Sequence, residues 1–207
     1  IVFGDLLKKS ESGLDEQQKD YLERMRNAAL RMQGFTRDLL EHAKIVSRKE
    51  QSFEMVDLGH IVSEVLSDLE TRVRETGARV ETGNLPEIEA DKFRMGQLFL
   101  NLIGNALKFH KKDGSIPIVR ISSLRNADGK WEITIEDNGI GFDETQAERI
   151  FQPFERLFGR SQYEGTGMGL AICRGIVQAH NGLITVKSQP GKGSCFTVTL
   201  PEKVVQK

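Results

Sequence analysis

No proline interrupts residues 15–49, and apolar side chains recur there in alternating steps of three and four. They are Met25, Ala28, Met32, Phe35, Leu39 and Val46, with His42 in the remaining slot. That spacing is a heptad seam on one long helix. The seam constrains the fold more than any other feature, because a helix with such a stripe must pack it against another helix. Asp15 with Gln18 three residues on predicts the helix start, each side chain satisfying the other's backbone N–H. Residues 1–9 read as the end of a preceding helix, with Ile1, Val2, Phe3, Leu6 and Leu7 on one side and a break at Ser10–Gly13. They supply part of the missing partner, and a second copy or further chain supplies the rest. The expectation over residues 1–51 is therefore a helical hairpin in a dimeric four-helix bundle. The pattern is already under way at Ile1, as in a piece of something longer. His42 reads as a packed seam residue.

The heptad stops at Ser52–Asp57, and the domain boundary is placed there, leaving 52–207 as a second unit. A chain of 207 residues suits one large or two unequal domains. Asp57 can cap a helix carrying Ile61, Val62, Val65, Leu66, Leu69 and Val73, which Gly77 ends. Short strands are expected at 78–82 and 87–90. Asp91 can cap a helix whose inner face is Phe93, Gln97, Leu98, Leu102 and Ile103. Strands at 116–124 and 131–135 flank a turn at Asn126–Gly129. Asp143 opens a short helix with Ala147, Ile150 and Phe151. The stretch 157–164, with Arg160, lacks periodicity and reads as a mobile lid. A helix through Leu170, Ile172, Ile176 and Val177 precedes a hairpin of strands 183–188 and 194–200. The order mixes α and β without βαβ alternation, which argues for an α+β sandwich with helices on one face of a mixed sheet.

Three stretches carry residues suited to a ligand. In Asn101-Leu-Ile-Gly-Asn105-Ala-Leu-Lys108-Phe109 the spacing i, i+4, i+7 sets two carboxamides and a lysine on one helix face. Such amides can coordinate Mg²⁺ and phosphate oxygens without adding negative charge, and Lys108 can offset phosphate charge. A plain solvated face would look similar. Asp137-Asn-Gly139-Ile-Gly141 ends a strand. It reads either as an Asx-Gly turn or as a buried carboxylate that accepts from the exocyclic amine of adenine. Gly165-Thr166-Gly167-Met168-Gly169-Leu170 opens a helix, where backbone amides can cradle phosphate. It matches neither the dinucleotide fingerprint nor the Walker loop.

Other function classes lack support. Net charge is −1, so no nucleic acid or anionic membrane is expected as partner. No apolar run reaches the roughly 20 residues that span a bilayer. Cys173 and Cys195 stand apart from any metal-ligand spacing and suit a reducing cytoplasm. His60 reads as a surface residue, and His180 as a surface residue or C-terminal cation.

Residues 53–202 resemble the ATP-binding domain of sensor histidine kinases, in the GHKL ATPase superfamily. Residues 1–50 resemble the C-terminal part of the dimerisation and phosphoacceptor hairpin that precedes it. The four boxes carrying the likeness stand in the family's order. The resemblance implies ATP and Mg²⁺ as cofactors, with Asn105 on the metal and Asn101 and Lys108 on phosphates. It implies Phe109 beside the adenine and Asp137 on its amino group, with Gly139 and Gly141 shaping that wall. Phe151 and Phe154 would form the phenylalanine box, and Arg156 would reach the terminal phosphate. Gly165, Gly167 and Gly169, with Thr166, Met168 and Leu170 between and after them, would cradle the phosphate chain. Around 154–172 the likeness is to phytochrome-like or other soluble-input kinases.

Relatives that hydrolyse ATP carry a glutamate where Asn101 stands, and an amide cannot serve as a general base. The resemblance therefore implies γ-phosphoryl transfer to a histidine and then to the aspartate of a response regulator receiver domain. A degenerate, ATP-responsive dimeric module and a GHKL hydrolase are the competing readings. None of His42, His60, His110 or His180 stands in the family's His-[Glu/Asp]-x-x-x-Pro context. The expected acceptor lies upstream of Ile1, and no catalytic nucleophile is assigned within this sequence. A cytoplasmic location follows from the family, and a membrane anchor elsewhere in a parent protein is compatible with it.

Overall fold

The computed structural model describes residues 15–46, 52–159, 163 and 165–204, leaving out the side chains at 31, 35, 37–39 and 41–46. The expected helix over 1–9, the break at Ser10–Gly13, the seam side chains Phe35, Leu39, His42 and Val46, the segment up to 51, and Arg160 all lie outside the described residues.

Helix α1 spans Glu16–Val46. Its start has the expected reciprocal cap: Gln18 N–H donates to Asp15 Oδ1 at 2.8 Å, and Asp15 N–H donates to Gln18 Oε1 at 3.1 Å. The seam residues Met25 and Met32 are 69% and 64% exposed, so no described residue covers the stripe at those two positions.

After β1 (Glu54–Asp57), Asp57 accepts from the N–H groups of Gly59 and His60 and starts α2 (Leu58–Asp68). The single helix expected through Val73 divides at Leu69, and α3 (Glu70–Thr76) follows. Both pieces keep their apolar residues, Val65 and Leu69 among them, on one core. Gly77 closes α3 in the left-handed region at φ 65°.

Strands β2 (Arg79–Thr82) and β3 (Glu87–Ala90) lead to α4 (Lys92–Lys108), which Asp91 caps by accepting from Arg94 N–H. Strands β4 (Ile118–Arg125) and β5 (Trp131–Asp137) form a hairpin. Two short 3₁₀ turns, Glu144–Gln146 and Arg149–Phe151, replace the expected short helix after Asp143. Helix α5 spans Gly169–Ala179, and β6 (Leu183–Gln189) with β7 (Gly193–Leu200) ends the fold. Helix α1 lies against α5.

The five-stranded sheet has the order β2-β4-β5-β7-β6, and β1 pairs separately with β3. Strand β2 runs parallel to β4, whereas the other pairings are antiparallel. The sheet is therefore mixed, as expected. Alternation sets its faces: Ile121, Ile133, Ile135, Phe196 and Val198 are buried against the helices, whereas Arg120, Glu136 and Lys187 are exposed. Buried residues of α4 (Met95, Leu98, Phe99, Leu102, Ile103) and α5 (Ile172, Ile176, Val177) complete the core. The fold is an α+β sandwich of a mixed sheet and helices.

One correction concerns α4. Phe93, expected inside, is 75% exposed. The buried stripe runs through Met95, Leu98, Leu102 and Ala106. Phe93, Gln97, Asn101 and Lys108 follow a neighbouring stripe that borders a cleft. Leu98, Leu102 and Ile103 of the expected inner face are buried, so only Phe93 and Gln97 fall outside it, on the side toward the cleft.

Candidate functional site

The cleft is about 980 Å³ and lies between α4, the end of β5, the loop before α5 and the start of β7. Each element brings its functional side chain for a local reason. Helix α4 holds its cleft face because the opposite stripe is sunk in the core. Asn101 donates from Nδ2 to Gln97 O at 3.0 Å, which fixes its carboxamide. Asn105 and Lys108 follow along the same face, and Lys108 Nζ stands 4.4 Å from the centre of the Phe109 ring.

The first motif is bonded to the second. Phe109 ends α4, and its carbonyl accepts from Ile140 N–H at 2.9 Å. Asp137 stands at the end of β5, paired with Ser194 of β7. Its Oδ1 accepts from Gly139 N–H at 2.8 Å, the Asx turn, and from Ser194 N–H at 3.3 Å. The Asx-turn reading of Asp137 holds through Oδ1, and the turn leaves Oδ2 without a hydrogen bond among the described residues. Burial lifts its carboxyl from 3.8 to about 6; the Gly139 and Ser194 amides oppose the rise and Glu136 adds to it. Asn138 braces the turn from outside: its Oδ1 accepts from Ile118 N–H at 2.8 Å, and its Nδ2 donates to Ile116 O at 3.0 Å. At Gly141, φ is +57° and a Cβ would overlap the Gln189 carbonyl, so the turn can pass β6 only with glycine there.

The third motif leads into α5. Met168 N–H donates to Thr166 Oγ1 at 3.3 Å, and Ile172 N–H donates to Met168 O at 2.9 Å. Gly165, Thr166, Gly167, Gly169 and Leu170 all border the cleft. Helix α5 presents its N-terminus to it, where unpaired N–H groups and the helix dipole favour an anion. Gly169 packs on Asn101, since a Cβ there would stand 2.8 Å from Asn101 Oδ1.

Asn101, Asn105, Lys108, Phe109, Asp137, Gly141 and Arg156 share this cleft with the glycine loop. Four expected site residues stand behind its wall instead. Gly139 lies under Phe109 O. Phe151 is buried edge-on against Phe196 at 6.4 Å, with the Arg174 guanidinium 4.4 Å from its ring centre. Phe154 holds a left-handed φ of 67°, and its N–H donates to Gly167 O at 3.1 Å. Met168 is buried in the core. These four support the wall and do not line it. Arg156 borders the cleft, yet its guanidinium donates to the Tyr163 and Gly165 carbonyls and so holds the glycine loop.

Sequence reasoning missed several neighbours. Ser194 is the second N–H donor to Asp137, and only the β5–β7 register brings it there. Phe196, pointing inward two residues on, forms apolar floor with Ile140. Tyr163 and Phe158 flank Phe109 at 4.9 and 5.8 Å between ring centres. The cleft also continues along Ile61 and Val65 of α2, opposite Phe93 and Leu100 of α4. The apolar periodicity of α2 could have marked these residues as facing α4, though not as facing a cleft.

Among the described residues, no cluster of three His, Cys, Asp or Glu side chains could hold a metal ion unaided. No described helix is long and apolar enough to cross a membrane.

Comparison with known proteins converges on one group. The model for the histidine kinase-, DNA gyrase B- and HSP90-like ATPase family matches residues 90–204. The phytochrome-like protein Cph1 of Synechocystis is 39% identical over 188 residues, 91% of this chain and 25% of that protein. The adaptive-response sensory kinase SasA of Prochlorococcus marinus is 44% identical over 153 residues, 72% of this chain and 40% of its own length. The chain thus spans between a quarter and two fifths of these relatives. Full-length ShkA in complex with AMPPNP superposes with a TM-score of 0.73 at 25% identity, covering 95% of this chain and 41% of that one. The histidine kinase ThkA in complex with the response regulator TrrA superposes with a TM-score of 0.66 at 25% identity, covering 97% of this chain and 57% of that one.

Proposed function

The chain belongs to the histidine kinase-, DNA gyrase B- and HSP90-like ATPase family as a sensor histidine kinase ATP-binding catalytic domain, and from that premise we propose how it binds Mg-ATP and transfers its phosphoryl group. The carrying observation is that Asp137, whose Oδ2 has no partner among the described residues, lines the same cleft as Asn105. Asp137 accepts from the adenine amino group, which guanine lacks at that position, so the wrong base would leave a buried acceptor unpaired. Asn101, Lys108 and the N-terminus of α5 hold the phosphates. Arg156 reaches the terminal phosphate after releasing the Tyr163 and Gly165 carbonyls.

The residues present fit magnesium in one way only. A lone amide oxygen at Asn105 cannot bind the ion by itself, but Mg²⁺ commonly arrives on substrate phosphates, keeps water and takes few protein ligands. Bound there, it would neutralise charge between the β- and γ-phosphates. The γ-phosphorus bond to the bridging oxygen breaks, a phosphorus–nitrogen bond forms on an acceptor imidazole, and ADP leaves.

The acceptor histidine lies upstream of Ile1, on the helix that completes the hairpin with α1. Within this chain, His60 is exposed beside Glu64, His110 holds Leu107 O, and His180 is buried. A second copy covers the Met25 and Met32 stripe, and the receiver domain of a response regulator takes the phosphoryl group onward. Location in the cytoplasm follows from the same reading.

The test has two parts. Calorimetric titration should give ATP binding that Mg²⁺ strengthens, with Asp137→Ala abolishing binding and Asn105→Asp losing the Mg²⁺ increment. A chain extended upstream should take up acid-labile phosphate from ATP while this chain alone does not. Equal ATP affinity in Asp137→Ala would overturn the site, and acid-stable labelling of the extended chain would overturn the kinase step.

A further inference from the structure

His180 takes no part in the chemistry above, yet it is 1% exposed. The expected surface position or helix-end cation is therefore wrong, because the ring is sealed inside a joint of three elements. Its Nδ1 faces Ile176 O at 2.8 Å, within its own helix, and its Nε2 accepts from Asp91 N–H at 3.0 Å. An acceptor Nε2 and a carbonyl opposite Nδ1 require the neutral tautomer protonated on Nδ1. The Phe53 ring packs edge-on against it, centres 5.1 Å apart at 77°.

The joint's position gives it leverage. Three contacts pair α4 with α5 in reversed order: Asp91 with His180, Leu98 O with Cys173 Sγ at 3.9 Å, and Asn101 beside Gly169. The two helices therefore run antiparallel. One end of the pair is the cleft, with the Asn101–Asn105 face and the glycine loop. The other end is held by His180. Asp91 also caps α4, accepting from Arg94 N–H at 3.1 Å, and its Oδ2 meets Arg94 Nε at 3.4 Å. Phe53 belongs to the segment that connects α1 to the ATP-binding fold.

We propose that His180 is a positioning residue for the nucleotide site: it holds the start of α4 to the end of α5, and through Phe53 it makes their spacing depend on the α1 connection. The inference rests on the nucleotide reading of the cleft. If the Asp91 N–H loses its acceptor, it is left buried and unpaired, so the joint opens instead of tolerating the gap. Opening there pivots the glycine loop against Asn101. A second ring contact at Phe53 makes the same spacing sensitive to where the connecting segment sits.

The test compares Mg-ATP affinity of the whole chain by calorimetry, each protein held well below its melting midpoint. His180→Gln keeps an oxygen acceptor for Asp91 N–H, and His180→Leu keeps bulk without one. Phe53→Ala removes the ring contact and touches neither helix. His180→Leu and Phe53→Ala should each weaken affinity by about tenfold, the usual span of coupling between sites. His180→Gln should stay within about twofold of wild type. A purely structural histidine would lower the melting midpoint and leave the affinity of the folded population unchanged. A pH profile adds a second readout, because imidazolium cannot accept from Asp91 N–H. Among the described residues Asp91 and Arg94 are the charged groups acting on the ring, and Asp137 is present in both proteins, so its own titration is common to the comparison. Acidification should therefore weaken wild type more than His180→Gln. If wild type fails to bind ATP, the nucleotide reading falls and this inference with it. If wild type binds and Phe53→Ala binds equally, the positioning role alone is overturned, even should His180→Leu fail to fold.

Discussion

At the scale of single residues, Asp137 sets its proposed ligand role against stability. Its carboxyl titrates near 6 in the fold and near 3.8 when exposed. Between those values the folded state holds the proton more tightly, so its contribution to stability falls as pH rises through that window. Asp137→Asn should therefore raise the stability of the nucleotide-free protein at neutral pH by about 1–2 kcal/mol. Thermal melts with and without ATP check this: the variant should melt higher alone and gain nothing from nucleotide. Burial depresses the His180 imidazole below its usual 6.5, with the Ile176 carbonyl and Asp91 opposing the drop and Arg94 adding to it. The unfolded chain binds that proton better. Stability from His180 is thus complete above about pH 6.5 and falls as pH drops below it, the opposite sign to Asp137. Urea midpoints in an Asp137→Asn background should fall on acidification more steeply for His180 than for His180→Gln. Asp137 was legible in the sequence because a strand-ending aspartate before Asn-Gly can be recognised locally. Ser194, its second donor, was not, since the two meet only through strand register 57 residues apart. His180 was misread for a similar reason: helix-end preference is local, and the Asp91 amide that captures the ring comes from 89 residues away.

At the scale of elements, caps and periodicity were readable and facing was not. Asp15, Asp57, Asp91 and Asp143 each accept from the backbone N–H groups that follow them. On α4 the expected Leu98, Leu102 and Ile103 are buried, but Phe93 was set beside them because it looks like core, and only the packed sheet shows that it lies off that side. Asp91 shows how much one cap can carry. It starts α4, pairs with nearly buried Arg94, and offers its N–H to His180. Asp91→Ala should cost about 2–4 kcal/mol, the loss of a cap together with the carboxylate partner of buried Arg94. Asp91→Asn, which retains the cap, should cost clearly less. Equal urea midpoints for the two variants would show that the cap contributes nothing.

At the scale of the molecule, two features point outward. The exposed Met25 and Met32 stripe continues the heptad seen in sequence, so a second copy is the expected cover. Met25→Asp with Met32→Asp should convert a dimer to a monomer in sedimentation velocity and leave ATP affinity within about twofold, because the stripe lies outside the cleft. A wild-type chain that sediments as a monomer at every concentration would remove that expectation. The second feature is the arm of the cleft between α2 and α4. Ile61, Glu64, Val65 and Asp68 lie before the stretch that matches the family model, and with Phe93 they line a channel leading away from Asp137 and the glycine loop. A compound seated on the end formed by Asn101, Asp137 and the glycine loop would contact residues within the stretch that matches the family model. One that also extends into this arm would contact side chains outside the matched stretch, so its selectivity would come from the part of the cavity the family model does not describe.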